Sequence, residues 1–161
     1  MPRTSAALCL WRPIIDDSEI DAGFEVLLVH PGGPFWANKD LGAWSLPKGE
    51  FDPEVEDGLV TAQREFAEET GSAAPDSDYV SLGETRLKSG KIVRAWAVQG
   101  DLDAEAIASN SFEMQWPPKS GIMMSFPEVD RAQWCGPELA AQKLNAAQVI
   151  FVERLADELR A

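Results

Sequence analysis

Three glutamates lie within five positions in the stretch REFAEETG, Arg64 to Gly71. Glu65, Glu68 and Glu69 stand at i, i+3 and i+4, so on a helix their side chains share an arc of about 100°. Like charges on one helix face repel each other by roughly a few tenths of a kcal/mol per pair. Two interpretations account for this arrangement: a solvated acidic face, or a face that binds a cation.

A cation at this face would be hard and oxygen-liganded. Mg²⁺ prefers carboxylate oxygens and keeps several of its own waters. Carboxylates on one rigid helix face can hold one or more such ions, which turns an acidic patch into a receptor for phosphate. The cluster is therefore compatible with binding a divalent cation and, through it, a phosphate group.

The overall charge limits the classes of partner. The 161 residues include 14 basic and 27 acidic side chains, a net charge of −13. A surface this negative repels phosphate backbones, so we expect no nucleic-acid polymer as a partner. A small phosphate ligand needs a local site that reverses the field, and divalent metal ions are the simplest way to provide one.

Hydropathy and cysteine usage point to a cytoplasmic protein without a membrane partner. The longest apolar runs are far too short to span a bilayer, and the apolar patch near the N-terminus is too short for a secretory signal. Cys9 and Cys135 show no metal-binding or redox spacing. We therefore expect both to be buried free thiols in a reducing compartment.

The pattern of elements predicts one α/β domain over residues 1–161. SAALCLW and FEVLLVH predict a pair of strands around the polar loop RPIIDDSEIDAG, and YVSLGETRL and KIVRAWAVQG predict a hairpin around KSG. A helix is predicted from about Glu56 to Thr70, stopped by Gly71. Two more helices are predicted in GPELAAQKL and NAAQVIFVERLADEL, with Asn145 as the N-cap of the last.

Segments punctuated by Gly and Pro are predicted to be loops. These are PGGPFWANKDLGAW, SLPKGEFDPEVEDG and SFEMQWPPKSG. DAEAIAS predicts a helical turn and AQW a short strand. Because strands and helices interleave with several hairpin signals, we expect a mixed sheet with helices on its faces.

The segment Gly49–Ser72 resembles the Nudix box, the loop–helix–loop signature of hydrolases acting on nucleoside diphosphates linked to another group. That pattern is a glycine, five residues, a glutamate, seven residues, then Arg-Glu-apolar-x-Glu-Glu-x-Gly-apolar. The matching residues are Gly49, Glu56, Arg64, Glu65, Phe66, Glu68, Glu69 and Gly71. Two positions depart from it: six residues separate Gly49 from Glu56, and Ser72 takes the last apolar position. The extra residue falls in the loop, where insertions are tolerated.

The resemblance implies the fold and the roles of the box residues. The fold would be a Nudix-type α/β/α sandwich, with the mixed sheet between helices. Activity would require Mg²⁺, with Mn²⁺ as a substitute, held by Glu65, Glu68, Glu69 and the Gly49 carbonyl. Arg64 would complete the catalytic set as a structural partner of Glu56, bracing the box loop against the helix.

The resemblance leaves the general base open. A glutamate of the box often activates the attacking water in this family, and Glu65 is favoured here. Metal ligation and proton abstraction compete for that carboxylate, so a later loop could supply the base instead. Glu113 is the candidate in that case, against its simpler interpretation as an exposed glutamate.

Residues outside the box supply candidates for substrate binding. Lys48 adjoins the box and could reach a phosphate, or it is an ordinary surface lysine. The hairpin TRLKSGKIVR carries four of the fourteen basic residues, as a solvated face or as a rim for a polyphosphate: Arg86, Lys88, Lys91 and Arg94. Three loop tryptophans could stack on a base or simply pack: Trp36, Trp44 and Trp116. His30, at a strand end, is interpreted as structural.

The leading hypothesis is a Mg²⁺-dependent pyrophosphohydrolase of nucleoside triphosphates or dinucleoside polyphosphates. The alternatives within the family are cleavage of ADP-ribose or a nucleotide sugar, and a nucleotide-sensing module without activity. All three glutamates are present, which disfavours the sensing module. An acidic interaction protein is a third class, and it predicts no metal-dependent stabilisation. The sequence leaves the oligomeric state open.

Overall fold

The computed structural model describes residues 2–14 and 23–161. Most of the predicted polar loop RPIIDDSEIDAG lies outside the described residues. The main sheet has six strands, β1 Thr4–Pro13, β2 Phe24–Pro31, β3 Lys48–Phe51, β4 Val80–Arg86, β5 Ile92–Gln99 and β8 Val129–Cys135. Its order is β4-β5-β1-β2-β8, and β3 also pairs with β1.

The sheet is mixed because its central strand has neighbours of both orientations. β1 runs parallel to β5 and antiparallel to β2 and β3. Its apolar run is buried on both faces, as expected for an interior strand. Ala7 and Cys9 face one core cluster, whereas Ala6, Leu8 and Leu10 face the other. The prediction of a mixed sheet is confirmed.

Helices cover both faces of the sheet. Helix α1, Gly58–Thr70, packs Ala62 and Phe66 against one face. Helices α2, Pro137–Lys143, and α3, Val149–Arg160, pack Ala140 and Phe151 against the other. The α/β/α sandwich predicted from the resemblance is confirmed. None of the helices in the described residues has the length and apolar character needed to span a bilayer.

Both ends of α1 are fixed by local interactions. The Asp57 side chain accepts a hydrogen bond from the Val60 amide at 3.1 Å, so the helix begins two residues after the predicted Glu56. Gly71 ends it in the left-handed region, with φ of 78°, and its amide donates to the Ala67 carbonyl at 2.9 Å. The predicted stop at Gly71 is confirmed, and only glycine takes that conformation without strain.

Two of the predicted loops contain strands. SLPKGEFDPEVEDG includes β3, which pairs antiparallel with residues 4–7 of β1. SFEMQWPPKSG includes β6, Ser111–Gln115, which forms a separate hairpin with β7, Met123–Pro127. In both segments the Gly and Pro residues favoured the prediction of a loop over that of a strand. In the second segment, the prolines at 117 and 118 lie in the turn between β6 and β7. The strands that pair with β3 and β6, and so satisfy their backbone hydrogen bonds, lie outside these two segments. The pattern within each segment therefore does not reveal them.

The remaining elements follow the predictions with one shift. The β4–β5 hairpin and the helical turn Ala104–Ala106 lie where they were expected. Asn145 caps a 3₁₀ turn, Ala146–Gln148, by accepting from the Ala147 amide, and α3 begins only after that turn. The two cysteines are buried and free, and burial raises the pKa of Cys9 to about 12 and that of Cys135 to about 11.

Candidate active site

Helix α1 and strand β3 meet at a cavity of about 300 Å³, which we call the acidic cavity. The helix contributes three glutamates to it, the strand two side chains and a glycine, and the ends of the β6–β7 hairpin two more residues. These are Glu65, Glu68, Glu69, Lys48, Glu50, Gly49, Asn110 and Glu128. Five carboxylates therefore surround one lysine, and the predicted shared face of the three box glutamates is confirmed.

Glu69 is the most deeply set of the three box glutamates. Burial raises the pKa of its carboxyl to about 8, although the backbone amide of Lys48 donates to Oε1 at 3.3 Å. Burial also raises the pKa of Glu65, and the neighbouring Glu68 carboxylate adds to that shift. Ionising these buried carboxyl groups is costly, and a cation placed between them would stabilise their ionised forms.

Gly49 lets the strand backbone approach the helix carboxylates. A Cβ added there would overlap the Glu65 carboxyl group. Any side chain at residue 49 would therefore displace Glu65 from the cavity. The strand backbone lies against Glu65 at Gly49 and against Glu69 at Lys48. The box carboxylates and the Gly49 carbonyl together offer only oxygen donors, which is the chemistry that a hard divalent cation requires. The residues fit such an ion.

Arg64 ties the box loop to the helix. Its guanidinium donates to Glu56 Oε2 at 3.2 Å, and also to Glu65 Oε1 at 3.1 Å and Glu68 Oε1 at 3.5 Å. The predicted contact between Arg64 and Glu56 is confirmed.

In residues 2–14 and 23–161, no three carboxylate, imidazole or thiol side chains converge as a preformed metal-binding set. Since Arg64 pairs with Glu65 and Glu68, these two must turn toward an ion to ligate it.

Arg64→Ala should lower both activity and stability. The loop containing Glu56 would lose its tie to α1, and loss of such supporting contacts typically costs about 10- to 100-fold in activity. Arg64 is 43% exposed, so we expect only about 0.5–1 kcal/mol of lost stability. Steady-state kinetics and urea unfolding measure both quantities. Arg160→Ala, which removes the exposed pair with Asp157, is the matched control. Unchanged activity in Arg64→Ala would contradict the bracing role.

The metal-free protein should lose stability as the pH rises. The folded pKa of Glu69, about 8, lies above its ordinary value of 4.5, so the folded state binds this proton more tightly. The resulting stabilisation is complete below the ordinary pKa and is lost as the pH rises through about 8. We expect part of the decline in unfolding free energy between about pH 5 and pH 9 to vanish in Glu69→Gln. Urea unfolding in EDTA tests this, and identical pH profiles for the two proteins would contradict it.

The basic residues divide into those at the cavity and those away from it. Lys48 lines the acidic cavity, and burial lowers its pKa. Lys91 pairs with Glu50 at 3.1 Å, and Arg3 pairs with the same carboxylate at 3.6 Å. One end of the basic hairpin thus reaches the rim of the cavity. Arg94 instead pairs with Glu84, and the exposed Arg86 donates to the Gly90 carbonyl within the hairpin.

Trp44 does not offer a ring for stacking, so this candidate is wrong. Its side chain is 2% exposed, and its indole Nε1 donates to Asp40 Oδ1 at 2.7 Å. The residue closes the core next to the buried ring of His30, 5.1 Å away between centroids. Burial of a large apolar side chain is favourable, so a tryptophan on a predicted loop is stabilised when it packs into the core. Asp130 Oδ1 and the Lys39 carbonyl contact the two ring nitrogens of His30, which is structural as predicted.

The other two tryptophans remain accessible. Trp36 is 39% exposed, with the Lys39 ammonium 5.0 Å from its ring centroid. Trp116 is half-buried and packs edge-to-face with Phe35, at 5.5 Å between centroids. Both therefore keep ring surface that a ligand can reach.

The structure brings Glu128, rather than Glu113, to the acidic cavity. Glu113 is exposed on β6 opposite Ser125 and is not among the lining residues. Glu128 directly follows β7, and its amide donates to the Asn110 carbonyl at 2.8 Å. Neither Asn110 nor Glu128 was a candidate from the sequence, because no motif joins them to the box. The pairing of β6 with β7 places them there. Hydrogen bonds from the Asn110 amide to the Glu68 carbonyl, at 2.9 Å, and from the Gly32 amide to the Glu128 carbonyl, at 3.0 Å, also hold them at this position.

A second cavity, of about 240 Å³, adjoins the first. The two cavities share Lys48, Glu69 and Glu128. Val29, Pro31, Ser45 and Val129 complete its lining, so it is less polar than the acidic cavity. The concave surface thus continues from the carboxylates toward the end of β2.

Comparisons with known proteins agree with this architecture. Similar solved structures include the NUDIX domain of Shewanella oneidensis NrtR complexed with ADP ribose, with a TM-score of 0.63 and 17% identity, covering 99% of this chain and 89% of that one. A Caenorhabditis elegans Ap4A hydrolase has a TM-score of 0.62 and 20% identity, covering 97% and 98%. A MutT protein from Methanosarcina mazei Go1 has a TM-score of 0.59 and 20% identity, covering 99% and 97%.

At these identities the structural likeness shows the fold. No curated protein matches the chain. The model of the NUDIX domain family matches residues 14–155, which is most of the sequence and includes the whole box. The chain therefore belongs to the NUDIX domain family, a family of pyrophosphohydrolases that act on nucleoside diphosphate derivatives and generally use divalent metal ions.

Proposed function

We propose that residues 1–161 form a single Mg²⁺-dependent Nudix hydrolase domain that cleaves nucleoside triphosphates or dinucleoside polyphosphates. The observation that carries this proposal is the composition of the cavity rim. Carboxylates for metal binding lie beside three cations. Lys48 lines the acidic cavity, and Lys91 and Arg3 both pair with the Glu50 carboxylate. Although the protein has a net charge of −13, these three cations lie where a phosphate chain bound at the metal site would extend out of the cavity.

Mg²⁺ is the proposed metal because every donor at the site is an oxygen, and Mn²⁺ should substitute. Glu65, Glu68, Glu69 and the Gly49 carbonyl would hold it. When bound, the ion neutralises charge on the phosphoryl oxygens and lowers the pKa of a bound water. Lys48 would contribute a point charge to the phosphate from beside the same cavity.

Two carboxylates compete for the role of general base. Glu65 would have to combine proton abstraction with metal ligation and with its contact to Arg64. Glu128 carries neither burden, and it lines the cavity from the end of the β6–β7 hairpin. If Glu128 is the base, Glu128→Gln should lower kcat with little change in Mg²⁺ affinity. If Glu65 is the base, Glu65→Gln should lower both, and Glu128→Gln should leave kcat nearly intact.

The preference for longer phosphate chains follows from electrostatics. Each added phosphate brings charge that can pair with Lys91 and Arg3, whereas a nucleotide sugar brings only two phosphates. The salt dependence should therefore be greater for polyphosphates. Cleavage of ADP-ribose is the second candidate, because one similar domain, that of NrtR, is complexed with ADP ribose.

The test is kcat/KM for ATP, diadenosine tetraphosphate, ADP-ribose and a UDP-sugar at fixed Mg²⁺ and two salt concentrations. EDTA should abolish turnover and added Mg²⁺ should restore it. Lys91→Ala should reduce turnover of the polyphosphates selectively. Lys88→Ala, an exposed lysine in the same hairpin, is the matched control. Faster turnover of ADP-ribose, without salt sensitivity for the polyphosphates, would contradict the proposed substrate class.

The surroundings proposed for the enzyme follow from charge. The excess of acidic residues opposes binding of nucleic-acid polymers and of anionic membranes. The two buried thiols suit a reducing, cytoplasmic compartment.

A further inference from the structure

The end of helix α1 is held by a segment that is distant in the sequence. The last carbonyl groups of a helix have no partner within the helix. In α1, the backbone amide of Asn110 donates to the Glu68 carbonyl at 2.9 Å, and that of Ala108 donates to the Thr70 carbonyl at 3.0 Å. Residues 108–110, which we call the clasp, therefore fix the last turn of the box helix.

The clasp also holds the chain around Glu128. The Glu128 amide donates to the Asn110 carbonyl at 2.8 Å. The Ser109 hydroxyl accepts a hydrogen bond from the Val129 amide at 3.1 Å, and its Oγ lies 3.0 Å from the Val129 carbonyl oxygen. Val129 is the first residue of β8, which is an edge strand of the main sheet. The Ser109 side chain thus takes the place that a partner strand would have beside Val129.

A single side-chain atom makes both contacts with Val129. A serine hydroxyl has one proton and two acceptor lone pairs. Ser109 Oγ lies 3.0 Å from the carbonyl oxygens of both Val129 and Asn110, so its proton is donated to one of them while a lone pair accepts from the Val129 amide. Threonine carries the same hydroxyl, whereas alanine would remove this acceptor from the amide of a buried residue.

Glu128 lies between the contacts that the clasp makes. Its amide is bonded to Asn110, its carbonyl accepts from the Gly32 amide at 3.0 Å, and the next residue is bonded to Ser109. The Glu128 backbone is therefore fixed relative to the box helix. Because Glu128 lines the acidic cavity together with the box glutamates, the clasp sets the point from which its carboxylate enters that cavity.

We propose that Ser109 is a positioning residue that fixes the Glu128 carboxylate relative to the three box glutamates during hydrolysis. This inference rests on the proposed function and adds to it a residue outside the box. Ser109 is not among the residues that line the acidic cavity, so it acts through Glu128 rather than on the substrate. A displacement of about 1 Å in a group at a reacting centre can cost about a hundredfold in rate.

The test compares Ser109→Ala with Ser120→Ala. Each change removes a hydroxyl that accepts from a backbone amide at 3.1 Å, but Ser120 lies in the turn at the other end of the β6–β7 hairpin. In Ser109→Ala, kcat should fall about 10- to 100-fold, as is usual for supporting contacts. The KM and the Mg²⁺ concentration for half-maximal rate should change little, because the box ligands are intact. Ser120→Ala should match the wild type, and Ser109→Thr should restore kcat.

A double-mutant cycle separates positioning from a general loss of structure. If Ser109 acts through Glu128, Ser109→Ala should lower kcat in the wild-type background and have little further effect in Glu128→Gln. An equal factor in both backgrounds would overturn the proposal. Urea unfolding and circular dichroism of every variant establish that the kinetics are measured on folded protein.

Amide hydrogen exchange, followed by NMR, tests the contact without turnover. The amides of Glu128 and Val129 should exchange faster in Ser109→Ala than in the wild type, and at the wild-type rate in Ser120→Ala. Unchanged exchange at Val129 in Ser109→Ala would show that the hydroxyl does not hold this backbone, and it would overturn the proposal.

The outcomes separate this inference from the proposed function. The variants are assayed with whichever nucleotide of the panel the wild type cleaves fastest, so a preference for ADP-ribose would contradict the proposed substrate class and leave this test intact. Hydrolysis by the wild type that Ser109→Ala leaves unchanged would overturn only the positioning role. A wild type that cleaves no nucleotide of the panel would overturn the proposed function and this inference together.

Discussion

Replacing Glu69 with glutamine should lower kcat/KM by at least about a hundredfold, because the site loses one of its three carboxylate charges for the metal. The same change should leave the unfolding free energy unchanged or slightly higher near neutral pH. Near neutral pH, keeping a proton on the buried Glu69 carboxyl, whose pKa burial raises to about 8, costs free energy on folding, and glutamine removes that cost.

The contrast between activity and stability is the informative part of this prediction. Glu158→Gln, at an exposed position of α3, removes the same charge away from the cavity and should change neither quantity. Michaelis–Menten kinetics at saturating Mg²⁺ and urea unfolding of both variants provide the measurements. A Glu69→Gln protein that keeps its rate but unfolds at much lower urea concentration would show that the cluster is structural.

Gly49→Ala should reduce activity by about a hundredfold or more, although it adds only one methyl group. The new Cβ would occupy the position of the Glu65 carboxyl, so either the strand or the carboxylate must move. A small misplacement of a catalytic group commonly costs about a hundredfold in rate. Stability should fall by about 1–3 kcal/mol, the usual effect of overpacking.

A second glycine variant controls for the loss of backbone freedom. Gly136 caps α2 with φ of −67°, and a Cβ there would meet only the Phe24 carbonyl oxygen, at 4.0 Å. Gly136→Ala should therefore retain full activity. Kinetics and circular dichroism of the two alanine variants distinguish the effects. Full activity in Gly49→Ala would mean that Glu65 does not need its position against β3.

The box helix was predictable because its information is local. Asp57, Gly71 and the i, i+3, i+4 spacing of the glutamates lie within one continuous stretch, and the structure reproduces the helix to within two residues at its start. Arg64 and Glu56 are also close in sequence, so their pairing could be proposed from the resemblance. The extra residue before Glu56 did not prevent this contact.

The parts of the site that depend on strand pairing were not predictable. Glu128 and Asn110 reach the acidic cavity through the pairing of β6 with β7 and through backbone hydrogen bonds to Gly32 and Glu68, and the prolines of the turn hid that hairpin in the sequence. Trp44 showed the opposite problem. Its loop-like surroundings suggested exposure, whereas burial of a large ring in the core decided its position. Side-chain burial and non-local pairing are tertiary effects that a linear pattern does not carry.

We propose that Glu65, Glu68 and Glu69, together with the Gly49 carbonyl, bind a divalent ion in the acidic cavity. Crystals grown with Mn²⁺ test it directly, because the anomalous signal of manganese locates the ion without reference to activity. We expect at least one strong anomalous peak about 2.0–2.4 Å from oxygens of these residues, with Glu65 and Glu68 turned away from Arg64. An anomalous map without a peak in the acidic cavity, from crystals grown at millimolar Mn²⁺, would contradict this metal site.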